Sequence, residues 1–207
     1  MEDLDFALNL FDEDRADGDD NPARAEDPDR QLIALARAGE VRAAISLLMQ
    51  RYGVDVCRYC RTELRDRALA DDVQQTVFIQ AYHHLAGFAG RSTVRTWLFA
   101  IARHRVLDAS KARRRAQAHL EDVAIDPTDP SQPADEQLDA ARTERDLVAA
   151  LAELGEPTRT AILLRYQQGF TFDEMAEICG ERPGTLQARV ARALPRLKDM
   201  LEAKRSR

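Results

Sequence analysis

The chain has 207 residues, of which 44% are hydrophobic and only 6% aromatic, and its formal net charge is −6. Abundant Ala, Leu and Arg favour helices with small cores over sheets. No apolar run reaches the roughly 18 residues that span a bilayer, which excludes membrane insertion. The acidic N-terminus excludes a secretory signal or transit peptide, and three cysteines, an odd number, are typical of a reducing cytoplasm.

The net charge hides strongly segregated local charges. The first 30 residues carry 12 acidic and 3 basic residues, and residues 119–139 carry seven acidic residues and neither Lys nor Arg. By contrast, residues 91–115 carry eight basic residues and one acid, and residues 182–207 carry eight and two. Because charges are screened beyond about 8 Å at physiological salt, local charge governs contact with phosphates. The basic segments predict nucleic-acid binding, with solvated charged faces as the alternative.

The first half of the chain predicts a disordered acidic arm followed by a helical domain. Residues 1–28 form the arm, because they hold too little apolar surface to fold. Residues 29–115 form the domain, in which Asp29 is expected to cap the first helix and Gly39 to end it. A GFAGR loop over residues 87–91 precedes a cap at Ser92 or Thr93. Apolar periodicity predicts five helices, over about residues 29–39, 40–52, 54–64, 69–85 and 93–115.

The second half predicts an acidic, Pro-rich linker over residues 116–136 and a second helical domain over residues 137–205. Within this domain Pro157 marks the first turn of a helix that Gly169 ends. The sequence TFDE at residues 171–174 is a capping box, and its helix ends at Gly180. We expect the inward stripe of this short helix to contain Phe172, Met175, Ala176 and Cys179. A further helix begins at Pro183, which completes a helix-turn-helix.

The last helix divides cleanly into two faces. An apolar face should pack on the domain, and it contains Leu186, Val190, Ala193, Leu194, Leu197 and Leu201. The opposite face should enter a major groove, and it contains Thr185, Arg189, Arg192 and Arg196. Arg suits bidentate contact with guanine, and Thr185 and Gln187 have short polar side chains that can contact base edges. The alternative is a helical hairpin with a solvated Arg face. Pro195 removes one helical hydrogen bond and is expected to disturb the helix after the DNA-facing part.

The helix over residues 93–115 has the same division. Its packing stripe contains Val94, Leu98, Ala102 and Val106. Its opposite face contains Thr96, Arg103, Ser110 and Arg114. Trp97 has two interpretations, because it suits either stacking on an unpaired base or burial in the core.

The helix over residues 69–85 predicts a protein-binding face. Its inward stripe contains Val73, Val77, Ala81 and Leu85. Its outward side sets two hydrophobic residues beside carboxylates and amides, and contains Asp71, Asp72, Gln75, Ile79 and Tyr82. An ordinary amphipathic helix is the alternative.

The sequence contains few candidate catalytic or metal-binding residues. Cys57 and Cys60 stand three residues apart, but a metal site needs about four ligands and the second pair is missing. We therefore expect the two cysteines to be small buried hydrophobic residues, and we expect no metal or cofactor. Neither a nucleophile–base pair nor a paired-carboxylate arrangement is visible, so we predict no catalytic residue and no enzyme activity.

Together these segments resemble a known family. The order DDVQQTVFIQAYHHL, STVRTWLFAIARHRVLDASKARRR, an acidic linker and then LAELGEPTRTAILLRYQQGFTFDEMAEICGERPGTLQARVARALPRL is similar to a bacterial RNA polymerase sigma factor of the sigma-70 family, extracytoplasmic-function (ECF) group. The resemblance covers about residues 29–202. It implies an all-α fold of two small helical domains, for the promoter −10 and −35 elements, joined by a flexible acidic linker. It also implies a cytoplasmic subunit that directs promoter-specific initiation.

The resemblance implies a role for each segment. The clamp helices of the largest subunit of core RNA polymerase should contact Asp71, Asp72, Gln75, Ile79 and Tyr82. The −10 element, with a flipped non-template base, should contact Arg91, Ser92, Thr96, Trp97, Arg103, His104, Lys111 and Arg114. The −35 element should contact Arg182, Thr185, Gln187, Ala188, Arg189, Arg192 and Arg196. An anti-sigma factor is an expected further partner.

The chain departs from the family pattern at four of these positions or their neighbours. Family members often have Glu at Thr76, Asn at His104, Lys at Gln187 and Ser at Ala188, so the −35 preference is expected to differ. Two rival functions remain open at this point. One is a stand-alone regulator that uses only the helix-turn-helix, and the other is a thiol- or metal-responsive regulator built on Cys57 and Cys60.

Overall fold

A computed structural model describes residues 29–118 and 137–205. The arm over residues 1–28 and linker residues 119–136 lie outside this part of the chain. The described residues form helices, turns and loops and contain no strand, which confirms the all-α prediction. None of these helices is long and apolar enough to cross a membrane. The helices are α1 (Arg30–Arg37), α2 (Val41–Leu64), α3 (Arg67–His84), α4 (Val94–Ala118), α5 (Gln137–Glu153), α6 (Glu156–Ile162), α7 (Phe172–Cys179) and α8 (Pro183–Arg205).

The first compact unit is built on α2, which packs against α1, α3 and α4. We expected two helices here, separated near Gly53, and this prediction was wrong because α2 runs unbroken for 24 residues. A glycine inside a helix costs only about 1 kcal/mol. Tyr52 and Val56 on either side of it are both buried, and the Gln74 side chain donates to the Gly53 carbonyl at 3.0 Å. These tertiary contacts outweigh the local preference.

α2 ends where the backbone changes hand. Arg65 adopts a left-handed conformation with φ of 53°, and its N–H donates to the Arg61 carbonyl at 2.9 Å. Asp66 then caps α3 by accepting a hydrogen bond from the backbone N–H of Leu69 at 3.0 Å. The Arg113 guanidinium on α4 donates to the Leu64 carbonyl at 3.2 Å, so this arginine of the basic segment faces the fold.

The two apolar stripes predicted for this unit are confirmed. All four members of the α3 stripe and all four of the α4 stripe are buried. The core also contains Phe99, which is fully buried with its ring centroid 5.7 Å from that of Tyr59 on α2. Both outward faces are therefore fixed by what lies behind them.

The N-terminal end of this unit is anchored by a buried carboxylate. Asp29 is 2% exposed and does not cap α1 with its side chain, contrary to expectation. Its carboxylate instead accepts the Tyr52 hydroxyl at 2.9 and 3.0 Å and the Arg51 guanidinium at 2.6 Å. Burial first, and then the neighbouring Asp29 charge, raise the pKa of Tyr52 above its usual range. The anchor ties the chain that enters α1 to the centre of α2.

The second compact unit contains α5, α6, α8 and the first five residues of α7, and both α5 and α6 pack against α8. Gly155 and Pro157 begin α6 as predicted. A π-helical turn over Leu163–Gln167 continues it before Gly169, which has φ of 67°. The predicted inward stripe of α7 was partly wrong, because Met175 and Ile178 are buried whereas Phe172, Ala176 and Cys179 are half-buried. α8 continues through Pro195 to Arg205.

We predict that Tyr52→Phe lowers the free energy of unfolding of the first unit by about 1.5–3 kcal/mol, because it removes a hydrogen bond to a buried charged carboxylate. Urea denaturation followed by fluorescence of Trp97, the single tryptophan, measures this. The matched control is Tyr82→Phe at an exposed position, for which we expect a change within about 0.5 kcal/mol. Equal stability of the two variants would contradict the anchor.

Candidate nucleic-acid interfaces and protein-binding face

The helix-turn-helix is held by the caps that the sequence predicts. The backbone N–H of Thr171 donates to the Glu174 carboxylate at 2.8 Å, and the Glu174 N–H donates to the Thr171 hydroxyl at 3.3 Å. Gly180 ends α7 in the left-handed region with φ of 68°. These contacts complete the capping box and allow the tight turn into α8. The recognition helix therefore begins at Pro183, as predicted.

The packing face of α8 is confirmed for five residues, since Leu194 is half-buried. The buried members are Leu186, Val190, Ala193, Leu197 and Leu201. Six of the seven residues predicted to contact the −35 element are exposed. They are Arg182, Thr185, Gln187, Ala188, Arg192 and Arg196. The Arg192 Nε donates to the Ala188 carbonyl at 3.0 Å, so this arginine lies along the exposed face of its own helix.

Arg189 differs from these six residues. Its two terminal nitrogens bind the two carboxylate oxygens of Glu181 at 2.9 and 2.5 Å. The side chains of Arg189 and Glu181 are only 21% and 28% exposed. Sequence reasoning missed this bidentate pair because Glu181 lies in the turn, eight residues away.

The start of α4 is capped by Thr93, which settles the choice between Ser92 and Thr93. The backbone N–H of Thr96 donates to the Thr93 hydroxyl at 3.0 Å, and the two hydroxyl oxygens lie 2.8 Å apart. Thr96 is 2% exposed. Its predicted place on the outward face was therefore wrong, because the cap draws its side chain into the structure.

A cleft of about 430 Å³ lies beside this cap. Trp97 forms part of its wall, half-buried, with its ring centroid 5.4 Å from that of Phe88 and the planes inclined at 56°. Neither interpretation of Trp97 is complete, since the ring lies between the interior and the cleft. The cleft is lined by His83, His84, Gly87, Phe88, Ala89, Arg91, Ser92 and Trp97. The two histidines were not predicted from the sequence, because only the fold brings them to Trp97.

The predicted basic side of α4 is exposed at its C-terminal end. Lys111 and Arg114 are exposed, whereas Arg103 is half-buried. His104 is 64% exposed, with its Nε2 3.6 Å from the Asp108 carboxylate. Because the helix rises 1.5 Å per residue, these positions extend along roughly 15 Å of one element, a length suited to following a nucleic-acid backbone.

The outward face of α3 carries exposed apolar side chains. Ile79 and Tyr82 are 51% and 40% exposed, and Gln75 and Asp72 are exposed near them. Asp71 is also exposed and accepts a hydrogen bond from Arg61 at 3.0 Å. All five residues predicted for the protein-binding face therefore lie at the surface. Large exposed hydrophobic residues on a rigid helix are typical of a protein interface.

The two cysteines of α2 are poorly suited to redox or metal chemistry. Cys60 is fully buried, and burial raises the pKa of its thiol to about 12. Residues three apart on a helix have Cβ atoms about 5–6 Å apart, whereas a disulfide needs about 3.5–4.5 Å. The part of the chain that the structure describes contains no cluster of His, Cys, Asp and Glu able to hold a metal ion.

We predict that Cys60 resists thiol reagents in the native protein at pH 8, because its thiolate is scarce and covered. Because burial raises the pKa of this thiol, the stability of the fold is unaffected by its ionisation below the ordinary value of 9.0 and falls as the pH rises from there through about 12. Mass spectrometry of Cys57→Ser labelled in native and denaturing buffer measures this protection. Rapid native labelling of Cys60 would restore the thiol-responsive alternative.

Comparison with known proteins identifies the family. The sigma-70 region 2 family model matches residues 48–116, and the sigma-70 region 4 model matches residues 144–197. The first segment contains α3 and most of α4, and the second contains the helix-turn-helix. The family segments thus coincide with the surfaces described above.

The similarity to two relatives spans most of the length of each. The chain is 34% identical over 168 residues to the ECF RNA polymerase sigma factor SigC of Mycobacterium tuberculosis, covering 78% of this chain and 85% of that protein. It is 32% identical over 185 residues to the RNA polymerase sigma factor CnrH of Cupriavidus metallidurans, covering 86% and 96%.

Two solved structures of sigma factors are also similar to this chain. One is CnrH in complex with the cytosolic domain of CnrY, with 27% identity and a TM-score of 0.64 over 84% of this chain and 97% of that one. The other is the sigma factor RpoE in complex with the anti-sigma factor NepR from Bartonella quintana, with 26% identity and a TM-score of 0.64 over 76% and 96%. The chain therefore belongs to the extracytoplasmic-function group of the sigma-70 family of RNA polymerase sigma factors.

Proposed function

We propose that the chain acts as a dissociable, non-enzymatic subunit of RNA polymerase in the cytoplasm, with the two helical domains over residues 29–115 and 137–205 contacting two promoter elements. The first domain binds core polymerase and the −10 element, and the second binds the −35 element. The observation that carries this proposal is the outward face of α3, where Ile79 and Tyr82 are exposed opposite a fully packed stripe. A stand-alone regulator that uses only the helix-turn-helix leaves that face unexplained.

The polymerase-binding surface on α3 combines apolar and acidic side chains. Ile79 and Tyr82 offer the desolvated centre that tight protein interfaces need, and Asp71 and Asp72 add negative charge at the N-terminal end of the same helix. We propose that a helical surface of the largest polymerase subunit, its clamp helices, packs against Ile79 and Tyr82. The acidic side chains then orient this partner by charge complementarity.

The cleft beside Trp97 is suited to an unpaired base. Phe88 and Trp97 supply an aromatic wall, and Arg91 supplies a cation for the adjoining phosphate. A base–aromatic stack is worth about 1–3 kcal/mol. We propose that a base of the opened non-template strand enters this cleft, while His104, Lys111 and Arg114 follow the strand along α4. Thr96 acts through the cap that holds this helix start, since its side chain is buried.

The exposed face of α8 is suited to the −35 major groove. Arg192 and Arg196 bring charge and bidentate donors, and Thr185 and Gln187 bring short polar groups. Ala188 leaves room for close approach of the helix to a base edge. We propose that these residues, with Arg182 at the helix start, bind the −35 element, and that Arg189 has a separate role.

An anti-sigma factor is the proposed regulatory partner. Two solved structures similar to this chain contain the cytosolic domain of CnrY and the anti-sigma factor NepR, respectively. The exposed apolar residues on α3 are the natural target for such a partner, because covering them would block polymerase binding.

We predict that the double variant Ile79→Asp/Tyr82→Asp keeps its helical content but loses binding to core polymerase by at least tenfold, because two exposed anchors become charged. Circular dichroism checks the fold, and co-elution with purified core polymerase measures binding. The matched control is Met49→Asp, which alters a similarly exposed apolar residue on α2. Unfolding of the double variant would mean that the α3 faces are reversed, and retained binding would place the polymerase contact elsewhere.

We predict that Trp97→Ala weakens holoenzyme binding to a single-stranded non-template −10 oligonucleotide about 5- to 150-fold, the loss expected from one stacked base. Phe88→Ala should have a smaller effect of the same kind. The control is Met49→Ala, outside the cleft, and thermal melting of each variant separates a packing defect from a binding defect. Normal oligonucleotide affinity in a folded Trp97→Ala variant would show that the ring is only part of the core.

A further inference from the structure

The pair between Glu181 and Arg189 joins the turn of the helix-turn-helix to the recognition helix. It is bidentate, with both terminal nitrogens of Arg189 bound to the Glu181 carboxylate. Bidentate arginine–carboxylate pairs fix orientation as well as distance, because two parallel hydrogen bonds define a plane. A turn residue thereby fixes a side chain more than one helical turn into α8.

Arg189 also lies at the edge of the exposed face rather than at its centre. It directly precedes the buried Val190, whereas Ala188 and Arg192 are both exposed. At 100° per residue, Arg189 is about 100° from Ala188 and about 60° from Arg192, on the side nearer the buried stripe. The guanidinium of Arg189 therefore points towards the turn, where Glu181 neutralises it.

We propose that Glu181 is a positioning residue for −35 recognition and that Arg189 acts through it. The pair holds the turn and the recognition helix in one geometry, so that the exposed polar side chains meet the base edges and Arg192 meets a phosphate in register. It also withdraws one positive charge from non-specific contact with phosphates. This inference rests on the proposed function, because it assumes that α8 enters the −35 major groove.

The proposal separates two arginines that look equivalent in the sequence. Log affinity for DNA falls linearly with log salt concentration, and each phosphate contact adds about 0.9 to the magnitude of this slope. Removing Arg192 should therefore reduce that slope, and removing the neutralised Arg189 should leave it unchanged. Removing the charge of Glu181 should release the Arg189 guanidinium to phosphates, raising the slope and lowering discrimination between sequences.

The test uses holoenzyme reconstituted with core polymerase and a promoter fragment that the wild-type holoenzyme enriches from a randomised duplex pool. A second fragment carries a scrambled −35 element. Affinity for both fragments is measured across a salt series for wild type, Arg189→Gln, Arg192→Gln, Glu181→Gln and the charge swap Glu181→Arg/Arg189→Glu, with thermal melting of each protein. Failure of the wild type to enrich any fragment would contradict the proposed function itself.

We expect Arg192→Gln to reduce the slope by about 0.9 and Arg189→Gln to preserve it. Glu181→Gln should raise the slope by a similar amount and reduce discrimination between the two fragments by on the order of tenfold. The charge swap should recover most of that discrimination. The proposal is overturned if Arg189→Gln lowers the slope as Arg192→Gln does, or if Glu181→Gln lowers only the melting temperature and leaves slope and discrimination at wild-type values.

Discussion

The first unit depends on burial of one long apolar stripe of α2 against three other helices. Leu48, Val56 and Tyr59 on this stripe are fully buried, and the helix is unbroken between its two ends. Because α3 and α4 both pack on it, neither can rotate without exposing its own apolar stripe. That constraint determines which side of α3 offers Ile79 and Tyr82, and which end of α4 meets the cleft. The surfaces proposed to bind polymerase and DNA are thus set by one buried interface.

In the second unit the exposed helix face is also fixed by packing, but the elements include shorter helices whose ends depend on specific caps. α7 has only eight residues, too few to be stable alone, and the Thr171 capping box and Gly180 fix both of its ends. α8 then buries Leu186, Val190 and Leu197 and presents the opposite side. In both units most of the residues proposed to bind polymerase or DNA are exposed because the other side of the same helix is needed for packing.

This division of each helix into a packed and an exposed side explains which features could be predicted from the sequence. Helix faces follow a 3.6-residue period, so the stripes of α3, α4 and most of α8 were predictable, as were the caps at Pro157, Thr171 and Gly180. Contacts between residues distant in the sequence could not be predicted in this way. Gly53 stays helical because its neighbours are buried, and Asp29 turns to Tyr52 rather than to its own helix. Arg189 is bound by Glu181, and the fold brings His83, His84 and Phe88 to Trp97. Each of these depends on a partner that no local pattern identifies.

The central claim is that the chain gives promoter specificity to core polymerase rather than acting on DNA alone. Run-off transcription on a pool of genomic fragments, with core polymerase alone, the protein alone and the two together, tests it most directly. The account predicts discrete transcripts with common −10 and −35 sequences only when both are present. Specific, tight binding of the protein alone to duplex promoter DNA, with no change in transcripts when core polymerase is added, would contradict it.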